Sequence, residues 1–348
     1  MTVLDSVGED YPIVNWDIDF GYRLSSVLDG SNLKHAVAHN PSTNELFYFH
    51  EDVYDDYVND DFFSTLFVTS VNNSDTNKNT QYSSIDLDEN NQPYICYTDL
   101  SNNYLYLQSF YNDVVVDDSG NSSKYCDIVI NDTINIFYYD KINKDLIYAV
   151  RVNDTWEFST IDSDGDVGSN VVAEVDSQGF FHLIYNSLED SSLKYATNRD
   201  GYWAINYIDL NVTDSIDHCS NQILVDSDDT IHIAYTVWGN NLIVYSKKSS
   251  GTWESSQAHR DLQLTTPYVE MNISLALDSH RTPFITYYYH GNLWYTKQKK
   301  SGEWIQFRID SKQNVGSYSS LLIDNYDTMH IYYYDQDNKR MKYAYSTN

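Results

Sequence analysis

Short runs of alternating apolar and polar residues, closed by Asp, Asn, Ser or Gly, recur along the chain. His232-Ile233-Ala234-Tyr235 and His330-Ile331-Tyr332-Tyr333 are examples, and period-two alternation between turn residues predicts β-strands. No amphipathic helical stretch of useful length interrupts them. The runs fall into three registers. The first is a tyrosine string: Leu46-Phe47-Tyr48-Phe49, Tyr104-Leu105-Tyr106, Leu146-Ile147-Tyr148-Ala149, Leu193-Lys194-Tyr195-Ala196, Leu242-Ile243-Val244-Tyr245, Leu293-Trp294-Tyr295-Thr296 and Met341-Lys342-Tyr343-Ala344. Its Tyr returns every 42 to 58 residues. In the second register Asp29, Asp88, Asp176, Asp226, Asp278 and Asp324 are followed six residues later by His35, Tyr94, His182, His232, Phe284 and His330. The third repeat uses Asn131 and Asn135, two residues tighter. In the third register Trp156, Trp203, Trp253 and Trp304 each open a run, and three of these runs end in Ile161-Asp162, Ile208-Asp209 and Ile309-Asp310.

Each unit reads as four antiparallel strands. Strand A ends at the periodic Asp, B carries the His or Tyr position, C is the tyrosine string, and D opens at Trp. Four strands every 40–50 residues is the spacing of a propeller blade. The last unit stops after strand C at Ala344-Tyr345-Ser346, and an orphan run, Asn15-Trp16-Asp17-Ile18-Asp19, precedes the first strand A. Pairing the two removes two exposed sheet edges. The chain is therefore expected to be all-β, one seven-bladed β-propeller domain over 1–348, closed by the N-terminal strand pairing with the last blade. The blades fall at 20–72, 80–118, 122–162, 168–209, 217–260, 271–310 and 316–348, with the closing strand at 13–19. Blade 1 carries an acidic insertion, Glu51 to Asp61, ahead of Phe62-Phe63, read as a solvated loop.

The unit Ser-Leu-x-x-Asp…His-Ile-x-Tyr-Tyr-Asp…Leu-Lys-Tyr-Ala…Trp…Ile-Asp resembles repeats of surface and secreted propellers, and more distantly is similar to sialidase-like and lectin propellers. The resemblance is architectural and covers nearly the whole chain. The Gly-His and Trp-Asp pairs of WD40 repeats, the kelch double glycine and the sialidase Asp-box are absent, since Asp176 precedes Gly179 by three and stands before Phe180. The resemblance therefore carries no family's catalytic residues onto this chain.

Composition agrees with strands: 33 Tyr against only 5 Pro, and aromatic residues favour half-buried pleated surfaces. The net charge is 21 − 51 = −30. Such a surface repels phosphate backbones and anionic bilayers, so no nucleic-acid partner and no membrane insertion are expected. Cys96, Cys126 and Cys219 are too few for a disulfide framework. No signal peptide is read at Met1-Thr2-Val3-Leu4-Asp5; a secreted or cell-surface location is favoured.

In a propeller the D–A and B–C loops share the face on which ligands usually bind. The B–C loops are read at 39–45, 98–104, 139–145, 186–192, 236–241, 288–292 and 334–340. They offer Asp99, Asp140, Asn186, Trp238, Tyr288, His290 and Asp335. Planar rings stack on pyranose faces and acceptors bind hydroxyls, so this set suits carbohydrate. Trp238, beside Gly239-Asn240-Asn241, is the one Trp outside the strand pattern and a candidate ligand platform. The periodic Asp residues lie in A–B turns on the opposite face, where repetition in every blade argues for a structural role, and His182, His232 and His330 lack zinc-site spacing. Asp162, Asp164 and Asp166 alternate as calcium ligands do, but Val167 stands where an EF-hand needs glycine, and the run coincides with an ordinary D–A loop. No other cofactor is indicated.

The expected function is non-catalytic binding of carbohydrate or a cell-surface protein partner through the loop face. A glycoside hydrolase or polysaccharide lyase would need two close carboxylates, for which Asp99, Asp140 and Asp335 are the candidates. A sialidase would need a cluster of arginines, and Arg23, Arg260 and Arg340 are the only ones on that face. A surface-assembly or scaffold role is the third reading. Nucleophile-elbow, zincin, P-loop and Cys-x-x-Cys motifs are absent.

Overall fold

The computed structural model describes residues 13–16, 19, 22–51, 67–70, 79–109, 112–210, 212, 220–237, 242–249, 251–260, 272–312 and 314–346. These form seven four-stranded antiparallel sheets. In six of them the strands follow one another in sequence, as in Val167–Val175, Phe181–Ser187, Ser192–Thr197 and Ala204–Asp209 of blade 4. In the last, Ile13–Trp16 lies outside Arg340–Tyr345, with Ile13 opposite Ala344 and Trp16 opposite Met341. Strand B is buried along its whole length in blades 4, 5 and 7, because both of its faces meet neighbouring blades.

Seven hydrophobic clusters lie at the seven junctions between blades. Cys96, Leu105, Leu107, Ile128 and Ile136 join blades 2 and 3. Ala36, Ala38 and Phe49 meet Tyr332, Met341 and Tyr343 where blade 7 returns to blade 1. The ring is thus shut by side-chain packing between the first and last blades, with Ser26 and Ser320 hydroxyls 2.7 Å apart on the inner strands. The periodic Trp residues add to these seams. Trp203 stands edge-on to Tyr148, Trp253 to Tyr195 and Trp304 to Tyr245, each reaching the tyrosine string of the preceding blade.

The A–B turns explain the second register. The Asp176 Oδ1 accepts the N–H groups of Gln178 and Phe180, which fixes the turn. Its Oδ2 lies 3.2 Å from His182 Nε2, and His182 Nδ1 lies 2.5 Å from the Tyr195 hydroxyl. A carboxylate only accepts, so Nε2–H donates to Asp176 and Nδ1 accepts from Tyr195. Asp226–His232–Tyr245 and Asp324–His330–Tyr343 repeat the relay. In blade 1 His35 keeps the bond to Tyr48, but its Nε2 stands 3.7 Å from Asp29, beyond hydrogen-bond reach. The tighter third repeat keeps the wiring with different residues: Tyr148 donates to Asn135, and Asn135 donates to Asn131.

One expectation shifts. The tyrosine string of blade 2 was read at Tyr106, but Tyr94 pairs with Ser109, which puts Leu107 in the slot held elsewhere by Tyr. A one-residue slip turns a strand side chain to the other face, and Tyr106 stacks on Tyr97 instead. The fourth described strand of blade 1 is Phe67–Ser70; the sequence there also offers Phe62-Phe63. Those two residues and most of the acidic insertion lie outside the described residues.

Candidate site in the central channel

The seven inner strands enclose a channel with a cavity volume of about 570 Å³. Strand A is an edge strand there, so its N–H groups on the channel side have no ladder partner, and buried amides need one. Side chains from neighbouring blades supply it. Asp86 accepts from Ile130 N–H and Asp127 from Ala173 N–H, both at 2.7 Å. Ser220 accepts from Ile273 N–H and Ser274 from Leu321 N–H. The Ser84 hydroxyl donates to the second oxygen of Asp127 at 2.5 Å.

One level of the channel is built differently. Six residues before the periodic turn position stand Tyr82, Tyr125, Asn170, Ser220, Asn272 and Tyr318, all on the channel wall. Arg23 holds the same sequence position in blade 1, its side chain being outside the described residues. Around this level the A–B ladders slip register in blades 1, 2, 3, 4 and 7. A β-bulge re-aims side chains that would otherwise follow the alternation of the sheet. Asn170 and Tyr318 carry positive φ angles of 51° and 53°, a conformation that costs a residue with a Cβ about 1 kcal/mol or more. The result is a belt of phenols, amides and a hydroxyl near the D–A and B–C face. Tyr82 and Tyr125 meet edge to face at 4.9 Å, with the Lys124 ammonium 5.9 Å from the Tyr82 ring.

Toward the A–B end the wall becomes acidic. Burial in protein pushes the Asp127 carboxyl up to about 6, against its hydrogen bonds from Ser84 and Ala173. Burial, and the proximity of Asp127 and Asp86, pushes Glu174 up to about 8. Glu174 therefore holds its proton at neutral pH and can donate a hydrogen bond. Among the described residues no three His, Cys, Asp or Glu side chains stand close enough to hold a metal ion.

Of the residues singled out from sequence, Asp99, Asp140 and Asp335 are not among those lining the channel. Asp99 is buried and accepts the N–H groups of Asn79 and Ser101. Asp140 accepts those of Ile142 and Asn143. Asp335 accepts from Asn338 and, at 3.4 Å, from Arg340. These carboxylates sit on blades 2, 3 and 7 and organise their own turns. Buried Asn186 accepts a hydrogen bond from Asn221. The Tyr288 hydroxyl donates to Asn314 at 3.4 Å, and His290 occupies an exposed hairpin turn at φ 49°. Trp238 and the Arg260 side chain lie outside the described residues. In the alternating Asp run, Asp162 meets the Lys194 ammonium at 3.1 Å and the Tyr185 hydroxyl at 2.8 Å. Asp166 meets Lys144 at 2.9 Å and the Tyr139 hydroxyl at 2.7 Å. Only Asp164 of the three is exposed.

No family model matches the chain, and no curated protein matches it. Solved structures do. AofleA from Arthrobotrys oligospora aligns at 12% identity over 89% of this chain and 93% of its own, with a TM-score of 0.54. An ulvan lyase of a new polysaccharide lyase family aligns at 11% identity over 96% of each chain, also with a TM-score of 0.54. The intramolecular trans-sialidase from Ruminococcus gnavus aligns at 11% over 94% of each chain, with a TM-score of 0.48. At these identities the likeness is one of fold, shared by enzymes and by other propellers.

Proposed function

We propose that this chain is a carbohydrate-binding propeller whose ligand enters the central channel from the D–A and B–C face. The observation that carries this reading is the belt of Tyr82, Tyr125, Asn170, Ser220, Asn272 and Tyr318, gathered at one level of the channel around which five of the seven A–B ladders slip register. Phenol faces stack on the apolar faces of sugar rings, while amides and hydroxyls bond to sugar hydroxyls in either sense. Non-catalytic binding is the favoured form, because Asp99, Asp140 and Asp335 belong to separate turns rather than to one reacting pair. The test is a polysaccharide and glycan screen scored for both binding and release of shorter products. Binding without product is expected, with affinity reduced about tenfold in Tyr125→Ala, the scale of one lost stacking contact. No hit in the screen, or unchanged affinity in that variant, would sink the proposal.

A catalytic reading has one observation in its favour: Glu174, a carboxyl that keeps its proton at neutral pH inside the channel, has the property of a general acid. Under that reading Glu174→Gln binds glycan as the parent does and releases no product. Under the binding reading neither form releases product.

A further inference from the structure

Cys96 lies in the middle of Pro93–Asp99, the second strand of blade 2, and Cys126 in Ser122–Ile130, the inner strand of blade 3. Both side chains enter the hydrophobic seam between these blades, beside Leu105, Leu107, Ile128 and Ile136. Cys96 is 0% exposed and Cys126 is 8% exposed. Both thiols are free and belong to the same seam cluster, and the proximity of Cys126 helps to push the Cys96 thiol up. Their backbones are set by separate ladders, Cys96 between Ser84 and Leu107 and Cys126 opposite Tyr138. Cys126 comes directly after the register slip of its strand, and it also forms part of the channel wall. Two free thiols thus share one blade seam, and Cys126 is the less buried of the two.

We propose that Cys96 and Cys126 are a dithiol–disulfide couple that locks blade 2 to blade 3 when the chain meets a small-molecule disulfide. Reaching the S–S bond length of about 2.0 Å asks for side-chain rotation and a closing of the seam. The order of steps follows from access. The Cys126 thiol loses its proton to water, and the thiolate attacks one sulfur of oxidised glutathione, expelling glutathione thiolate. Cys96 then loses its proton and attacks the Cys126 sulfur of the mixed disulfide, expelling the second glutathione thiolate, and both leaving thiolates take up protons. Two protein thiols are oxidised and one small disulfide is reduced to two thiols. Burial, followed by the neighbouring Cys126 and the Asp127 charge, pushes the Cys96 thiol well above its ordinary range. The second step is therefore slow at neutral pH and faster as pH rises.

The experiment incubates the full chain, as wild type and as Cys219→Ser, with oxidised glutathione, blocks the remaining thiols, and maps peptides without reduction. The expected product has one cross-link joining the Cys96 and Cys126 peptides, a mass lower by two hydrogen atoms and no retained glutathione. Its unfolding midpoint rises by a few degrees, since the cross-link constrains the unfolded chain, and dithiothreitol reverses the rise. Adding Cys126→Ser abolishes both the cross-link and the thermal gain. Glutathione stably retained on Cys126, a cross-link through Cys219, or both thiols remaining alkylatable after long oxidation would overturn the proposal.

Discussion

The inner strands look different at their two ends. At the A–B turn, three blades repeat Asp, His and Tyr with the same bonds, blade 1 keeps the His35–Tyr48 bond with Asp29 3.7 Å from the imidazole, and blade 3 rebuilds the relay from Asn131, Asn135 and Tyr148. Six residues upstream the same strands carry Tyr, Tyr, Asn, Ser, Asn and Tyr in blades 2 to 7, and five of the seven ladders slip around that level. A side chain repeated from blade to blade meets the same need each time, which is to hold a turn and seal a seam. Variation around a shared channel makes an asymmetric surface, and an asymmetric surface can select a ligand. Mutations at the two ends should therefore separate stability from binding.

The largest loss of stability is expected at a seam. Lys194 and Asp162 are 2% and 5% exposed, and Lys194→Ala leaves the carboxylate buried without its cation, costing about 3–5 kcal/mol in urea unfolding. The double variant Lys194→Ala/Asp162→Ala should recover part of that loss. Parent-like stability of the single variant would show that the pair does not hold blade 3 to blade 4. Next comes the relay: Tyr195→Phe removes the hydroxyl that donates to His182 Nδ1 and should cost about 1–2 kcal/mol, with glycan affinity unchanged. A fall in affinity comparable to that of Tyr125→Ala would erase the proposed division between the two ends.

Acidity gives the two ends opposite signs. Burial holds His35, His182, His232 and His330 below the ordinary value of 6.5, partly offset by their aspartates. Below pH 6.5 the unfolded chain takes up protons that these folded imidazoles refuse, so stability falls as pH drops through that point. Glu174 runs the other way. Its carboxyl moves from 4.5 unfolded to about 8 folded, so its contribution is full below 4.5 and is lost as pH rises toward 8. Glu174→Gln should therefore raise the unfolding midpoint above pH 8 and make little difference near pH 4.5, measured by thermal melts across pH. An equal effect at both ends of that range would contradict the raised carboxyl. The smallest change in stability is expected for Tyr125→Ala, at the margin of the channel, although it has the largest expected effect on binding.

The repeating end was legible in the sequence because alternation and fixed spacing report regular strands. The Asp-to-His interval of six and the Ile-Asp endings located real contacts: Asp162, Asp209 and Asp310 receive the hydroxyls of Tyr185, Tyr235 and Tyr333 from the next blade. Tyr106 misled because two tyrosines flank Leu105 and only the ladder decides which residue faces the seam. The belt stayed hidden for a related reason. A bulge breaks the alternation from which facing is inferred, although counting six back from each periodic turn residue would have gathered the set. Asp99, Asp140 and Asp335 drew attention because turn residues and ligand-binding residues share chemistry, and their backbone partners are visible only in three dimensions.

The most direct test is a crystal structure of the chain with a glycan taken from the screen. The predicted result is ligand density inside the channel at the level of Tyr82, Tyr125 and Tyr318, against the loop-rich end. Density confined to the outer strands, or to the A–B face beside His182 and His232, would contradict the channel as the binding site.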